Sequence, residues 1–195
     1  MSHYFENDDT IQKNEKKVIN KIQDETFFFY VDNGVFSKKG LDFGTRSLLE
    51  NINIKEIKGD VLDFGCGYGP IGIYIAKKTK ASIDMIDINE RALALAQKNV
   101  QENGVQAHVY ASDMYENVSK QYDFIVTNPP IRVGKEILYK ILLGAKKHLK
   151  KEGQLLFVIH KDQGAKSTMK MLEKEYSVDL IAKNKGFYVI RAKND

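Results

Sequence analysis

The chain predicts a doubly wound α/β fold with a mostly parallel seven-stranded sheet, and three observations point there. Short apolar runs alternate with helical segments along most of the 195 residues, the pattern of strand-helix units that form a parallel sheet covered on both faces. One run, residues 61–64, passes through a series of glycines directly into a segment with helical character. Near the end, two β-prone runs flank Asn184-Lys185-Gly186, which predicts a closing hairpin and therefore one antiparallel strand.

In chain order, residues 17–22 and 26–31 are β-prone around Gln23-Asp24-Glu25 and predict a short N-terminal hairpin. Asn33-Gly34 breaks the chain, and Asp42 can cap a helix that reaches about Asn51. Residues 61–64 form a buried strand, followed by a helix over residues 70–78 with proline in its first turn. Residues 82–87 form the next strand. Asn89 caps a long helix over 91–102, which ends at Asn103-Gly104. Strands follow at 106–110 and 122–127. A helix over 135–149 carries Ile137, Leu138, Ile141, Leu142, Ala145 and Leu149 on one face. An apolar strand at 155–159, a helix near 165–175 and strands at 178–182 and 187–190 complete the order. With no repeat, low-complexity tract or linker, residues 1–195 read as one domain, an extension over 1–35 and a core over 36–195.

Composition narrows the class of protein. At 43% hydrophobic and 29% charged residues, the chain is ordinary for a globular protein. No apolar run approaches the ~18–20 residues that span a bilayer, and the first residues lack the basic and apolar regions of a signal peptide. A single cysteine, Cys66, excludes an internal disulfide, so a reduced, cytoplasmic protein is expected, with no membrane partner and no metal. The net charge of +4 is uneven: residues 132–174 hold eleven Lys/Arg against four acids, a local +7. A basic face of this kind can hold a polyanion, although lysine-rich helices are also commonly just solvated.

In a sheet of this type ligands bind outside the carboxyl ends of the strands, and four predicted strand ends carry candidate residues. The first is Asp63-Phe64-Gly65-Cys66-Gly67-Tyr68-Gly69-Pro70-Ile71-Gly72, where glycines permit a tight turn and close approach to a ligand. Part of it matches the G-x-G-x-x-G pattern of dinucleotide-binding proteins, so nicotinamide or flavin binding is a competing reading. The Asp63 and Gly65-Cys66-Gly67 run between the strand and that pattern argues against it. Cys66 is read as a small filler. At the second strand end, Asp87 can accept two ribose hydroxyls and Ile88 can cover an adenine face, whereas Asp84 lies within the strand and projects elsewhere. The third leads to Asp113 and Met114. The fourth ends in Thr127-Asn128-Pro129-Pro130, where prolines stiffen the loop and leave carbonyls without competing N–H groups.

The acid-x-Gly-x-Gly-x-Gly block and the Asn128-Pro129-Pro130 block resemble motifs I and IV of class I methyltransferases, whose fold is Rossmann-like. The run from Gly34 to Leu49 and the closing run Lys185-Gly186-Phe187-Tyr188-Val189-Ile190-Arg191-Ala192 are similar to the small-domain branch related to ribosomal RNA guanine-N2 methyltransferases. The resemblance covers residues 30–194. It implies S-adenosylmethionine held by Phe36, Ser37, Thr45, Asp63, Gly65, Gly67, Gly69, Asp87, Ile88, Asp113, Met114 and Asn128. It implies catalysis by Asn128, Pro129 and Pro130 on an amine whose lone pair is conjugated. It places the acceptor against Ile131 and Arg132, with ribosomal RNA or a ribosomal particle as partner. The pattern departs from the family at Ile131, where an aromatic residue usually follows the prolines, and in a shorter N-terminal region.

The alternatives are a glutamine-N5 methyltransferase of release factors, a small-molecule amine methyltransferase, and a non-catalytic cofactor-binding module in ribosome assembly. Oligomeric state, and any role for His160 and the Tyr4-Phe5 segment, stay open at this level.

Overall fold

The computed structural model describes residues 12–33, 35 and 40–195, with the backbone alone at Ile131. The segment holding Tyr4-Phe5 and the predicted cofactor contacts Phe36 and Ser37 lie outside the described residues. A hairpin, β1 (Lys16–Ile22) and β2 (Glu25–Val31), comes first. Helix α1 (Phe43–Asn51) follows, and Asp42 caps it by accepting from the Thr45 N–H. Then come β3 (Asp60–Phe64), α2 (Pro70–Lys78), β4 (Ser82–Asp87), α3 (Glu90–Glu102), β5 (His108–Ala111) and β6 (Tyr122–Thr127). The chain closes with α4 (Lys135–His148), β7 (Leu149–His160), α5 (Ala165–Leu172), β8 (Ser177–Asn184) and β9 (Phe187–Lys193).

Seven strands form one sheet in the order β5-β4-β3-β6-β7-β9-β8. β3 to β7 pair in parallel, and β9 runs antiparallel to both neighbours. The order reverses beside β3, so the ends of β3 and β6 flank the topological switch point where ligands bind. Each face is covered. Val61, Ile73, Met85, Ala96 and Val126 belong to the core on one side, and Leu62, Ile125, Leu142, Leu155 and Phe157 to the core on the other. Alternation along β3 and β6 puts neighbouring residues into different cores. Among the described residues no helix is long and apolar enough to cross a membrane.

The hairpin is joined to the core through an arrangement that local pattern does not announce. Phe27, Phe29 and Val31 of β2 are buried in the first core. The outer edge of β2 pairs with two asparagine side chains, one in α3 and one capping its end, rather than with another strand. Asn99 accepts from the Tyr30 N–H at 2.7 Å and donates to the Tyr30 and Tyr68 carbonyls at 3.0 and 2.8 Å. One helical turn on, Asn103 accepts from the Phe28 N–H and donates to the Phe28 carbonyl. A side-chain amide carries the same donor and acceptor as a peptide, so two of them four residues apart satisfy a strand edge that burial would otherwise penalise.

Several boundaries differ from the sequence expectation. β5 begins at His108 rather than residue 106, and α5 ends at Leu172 rather than 175. β7 begins at Leu149, six residues before the apolar run. Its early part, Lys150-Lys151-Glu152, is polar, and Glu152 has φ 67°. This part is held by non-local partners: Leu149 pairs with Tyr122, and the Asn194 side chain donates to the carbonyls of Leu149 and Lys150.

Candidate active site

Four strand ends converge at the carboxyl edge of the sheet and are stitched together there. The Cys66 N–H donates to the Ile86 carbonyl, the Ser112 N–H to the Asp87 carbonyl, and the Thr127 hydroxyl to the Phe64 carbonyl at 2.8 Å. The last bond sets Asn128 beside the start of the glycine loop. The candidates Asp63, Asp87, Asp113, Met114 and Asn128 therefore share one edge. Asp84 does not: its buried carboxylate accepts from the Tyr122 hydroxyl at 2.6 Å and faces Lys120.

The glycines divide into two roles. Gly65 and Gly67 have φ of 66° and 56°, and a Cβ on either would meet no described atom within 4 Å. They border open space, which suits a ligand lying against the loop. Gly69 and Gly72 instead pack on β4, where a Cβ would lie 2.7 and 2.8 Å from Met85 atoms.

Loop donors decide between the two cofactor readings. A pyrophosphate-binding loop needs backbone N–H groups aimed at the ligand. Here the Gly67 N–H donates to Asp87 Oδ2 at 2.8 Å, the Gly72 N–H to Asp63 Oδ2 at 2.8 Å, and the Gly69 N–H to the Cys66 carbonyl. Pro70 has no N–H. Two of these donors are taken by carboxylates and one by a carbonyl, and the carboxylates bring negative charge where a dinucleotide brings its own.

Asp63 is fully buried, and its Oδ1 has no hydrogen-bond partner. Burial pushes its carboxyl up to about 7, and the nearby Asp87 charge adds to this. Burial also raises Asp87, against the N–H groups of Asn89 and Gly67. Neither forms an ion pair among the described residues. Two carboxylates without a cation suit a positively charged ligand. Each Asp87 oxygen already accepts one N–H, from Gly67 or Asn89 at 2.9 Å, and keeps a second lone pair for a hydroxyl. Cys66 is buried and its thiol is pushed up, by burial first and by Asp87 and Asp63 next, which agrees with a filler role.

The adenine-side candidates lie in the loop after β5. Met114 has φ 49°, a conformation held by the Ser112 hydroxyl donating to its carbonyl at 2.9 Å. Asp113 is exposed and Ile88 is half-buried. At the end of β6, the Asn128 Nδ2 donates to Thr45 Oγ1 at 2.9 Å and to Asp42 Oδ1 at 3.3 Å. Thr45, expected as a cofactor contact, thus lies beside Asn128 at the same edge. Asn128 Oδ1 and the Pro129 carbonyl accept no hydrogen bond from the described residues. A short 3-10 turn, Ile131–Val133, follows and exposes Arg132. His160 caps the turn Lys161–Gln163, and its ring sits edge-on to Phe187.

The basic stretch does not form one face. Lys150 pairs with Asp60 and Asp123 at the amino edge of the sheet, and Lys146 pairs with Glu175. Arg132, Lys135, Lys161 and Lys185 are exposed around the carboxyl edge, outside the ion pairs seen among the described residues.

Comparison with known proteins agrees with this architecture. The family model described as the methyltransferase small domain matches residues 26–191. The uncharacterized protein YbxB of Bacillus subtilis is 41% identical over 196 residues, covering 98% of each chain. Ribosomal RNA small subunit methyltransferase C of Vibrio vulnificus is 43% identical over 130 residues, 64% of this chain and 38% of that protein. Among solved structures, the Thermus thermophilus 16S rRNA N2 G1207 methyltransferase, in complex with AdoMet and guanosine, superimposes with a TM-score of 0.84 at 23% identity. The match covers 93% of this chain and 51% of that one. This chain spans about half or less of these ribosomal RNA methyltransferases. It belongs to the methyltransferase small domain family and is a methyltransferase dependent on S-adenosylmethionine.

Proposed function

We propose that this enzyme methylates an exocyclic amino nitrogen, and that the acceptor is guanine N2 of small-subunit ribosomal RNA. One observation carries the amine reading: the Asn128 amide nitrogen is tied to Asp42 and Thr45, so its oxygen and the neighbouring Pro129 carbonyl are left as two acceptors. Bound S-adenosylmethionine supplies an electrophilic methyl group on a sulfonium. The chain positions the nucleophile. An amino group conjugated to a ring attacks poorly because its lone pair is delocalised. Two acceptors for its two N–H bonds hold the nitrogen with its remaining electron density turned toward the methyl, and their dipoles favour the positive charge that develops. No strong base is needed, since the nitrogen becomes acidic only after alkylation. Asp63, Gly65, Gly67, Asp87, Ile88, Asp113 and Met114 are the residues proposed to hold the cofactor, along with Phe36 and Ser37.

The RNA acceptor is supported by the names of the relatives and by the exposed cations Arg132, Lys135, Lys161 and Lys185 around the same edge. Such an acceptor implies RNA binding, a part in ribosomal RNA processing and a cytoplasmic site of action. The test is transfer of tritiated methyl to unmodified 16S ribosomal RNA and to small subunits assembled from it. The expected result is label in guanosine as the N2-methyl derivative. Asn128→Ala should reduce turnover by about 10³-fold with S-adenosylhomocysteine binding nearly unchanged. Label in a release-factor glutamine, with none in RNA, would reassign the acceptor.

A further inference from the structure

We infer that Asp42, at the N-terminus of α1, is a positioning residue that sets which end of the Asn128 amide faces the acceptor, and so makes an amide obligatory at position 128. The inference rests on the amine reading above. A primary amide has two ends of nearly equal shape and opposite hydrogen-bond character. Turned over, Asn128 would present its NH₂ to the N–H groups of the acceptor and repel them. Thr45 cannot prevent this by itself, because a hydroxyl both donates and accepts. Asp42 can, because an ionised carboxylate only accepts. Its Oδ1 lies 3.3 Å from Asn128 Nδ2 and draws the NH₂ end toward α1.

Asp42 is itself well held. The same Oδ1 accepts the Thr45 N–H at 3.1 Å, so the cap of α1 and the restraint on Asn128 share one atom. Helix α1 is anchored by Leu48 and Leu49, both fully buried. Thr45 is 3% exposed, so its hydroxyl has little water to turn to in place of the amide. Gly44 lets the turn close: a Cβ there would lie 3.0 Å from the Phe187 ring and 3.1 Å from Asp42 Oδ1. A carboxylate at position 128 would confront that of Asp42.

The experiment separates the cap from the positioning role. Asp42→Ser keeps a good N-cap but is too short to reach Asn128. With tritiated S-adenosylmethionine and unmodified 16S ribosomal RNA, kcat should fall about 30-fold, while KM for RNA and the affinity for S-adenosylhomocysteine change little. Asp42→Asn retains reach, and the Thr45 N–H, which needs an acceptor at the cap, keeps its oxygen turned toward that point, so it should recover most of the rate. Asn128→Asp should be nearly inactive and melt at lower temperature, and adding Asp42→Asn to it should raise both the rate, at least tenfold, and the melting temperature. A wild-type rate in Asp42→Ser, or strictly additive effects in the Asn128/Asp42 cycle, would overturn the inference. A wild type that labels no RNA, release factor or small amine would overturn the amine reading before any variant is made. The melting cycle needs no acceptor, and additive shifts there would by themselves dismiss the Asp42–Asn128 contact.

Discussion

The two edges of the central sheet use the same residue type in opposite ways. At the amino edge, Asp60 and Asp123 sit among lysines: Lys150 reaches both at 3.0 and 2.8 Å, and Lys120 reaches Asp60 at 3.2 Å. Lys150 and Lys120 hold the Asp60 carboxyl below its usual range. Burial works against Asp123, but Lys150 and the Asp60 N–H outweigh it and lower that carboxyl too. At the carboxyl edge Asp63 and Asp87 are raised by burial and have backbone N–H groups but, among the described residues, no ion-pair partner. One edge is electrostatically complete within the chain. The other keeps two carboxylates without a cation among the described residues, an arrangement that suits a positively charged ligand.

Asp87→Ala should break the carboxyl edge most severely. It removes the acceptor of the Gly67 N–H together with the proposed ribose contact, and affinity for S-adenosylhomocysteine should fall by about 100-fold, as read by calorimetry. NAD should bind neither wild type nor variant; a wild type that bound NAD and not S-adenosylhomocysteine would invert the comparison.

Asp63 gives a pH signature of its own. Its folded carboxyl titrates at about 7, above an unfolded value near ~3.9, so between those limits the folded state binds the extra proton. Stability of the ligand-free protein should therefore decline as pH rises through this window, and level off above it. Binding of a cationic cofactor favours the ionised form, so affinity should rise toward pH 7 with release of a proton. Asp63→Asn should flatten the stability profile, raise ligand-free stability at pH 7.5 by on the order of 2 kcal/mol, and abolish the proton release measured in buffers of different ionisation enthalpy. An unchanged pH profile would show that Asp63 does not carry it.

The smallest effect is expected at the amino edge. Lys150→Met removes two half-exposed ion pairs, which is worth about 1 kcal/mol or less by thermal melting. Methyl transfer and its salt dependence should stay as they were. Loss of RNA affinity in this variant would return Lys150 to the RNA-binding face that the charge count of the stretch suggested.

How much of this was legible in the chain follows from how local each signal is. Pro70–Lys78, Glu90–Glu102 and Tyr122–Thr127 fall within a residue of where their residues announce them, because a proline in the first turn, an asparagine cap with a following Asn-Gly and a short β-branched run act within a few residues. The start of β7 was not legible. Lys150-Lys151-Glu152 lacks any apolar alternation, and the segment is held from elsewhere, by Tyr122 pairing with Leu149 and by Asn194 donating to the Leu149 and Lys150 carbonyls. Nor were Asn99 and Asn103 visible as a substitute strand, since in sequence they are two polar residues on an amphipathic helix. The contact of Thr45 with Asn128, 83 positions away, was not legible either.

By itself the sequence determined the order of strands and helices, the strand ends that carry acids, and the two motifs that place the chain among methyltransferases. Those are properties of short segments, set by side-chain periodicity and by the backbone preferences of glycine, proline and capping residues. Only the tertiary structure decided which acids lack an ion-pair partner among the described residues, which lysines are consumed at the far edge, and which way the Asn128 amide is turned. Each of these depends on contacts between residues far apart in the chain, and on how completely burial removes the water that would otherwise make them equivalent.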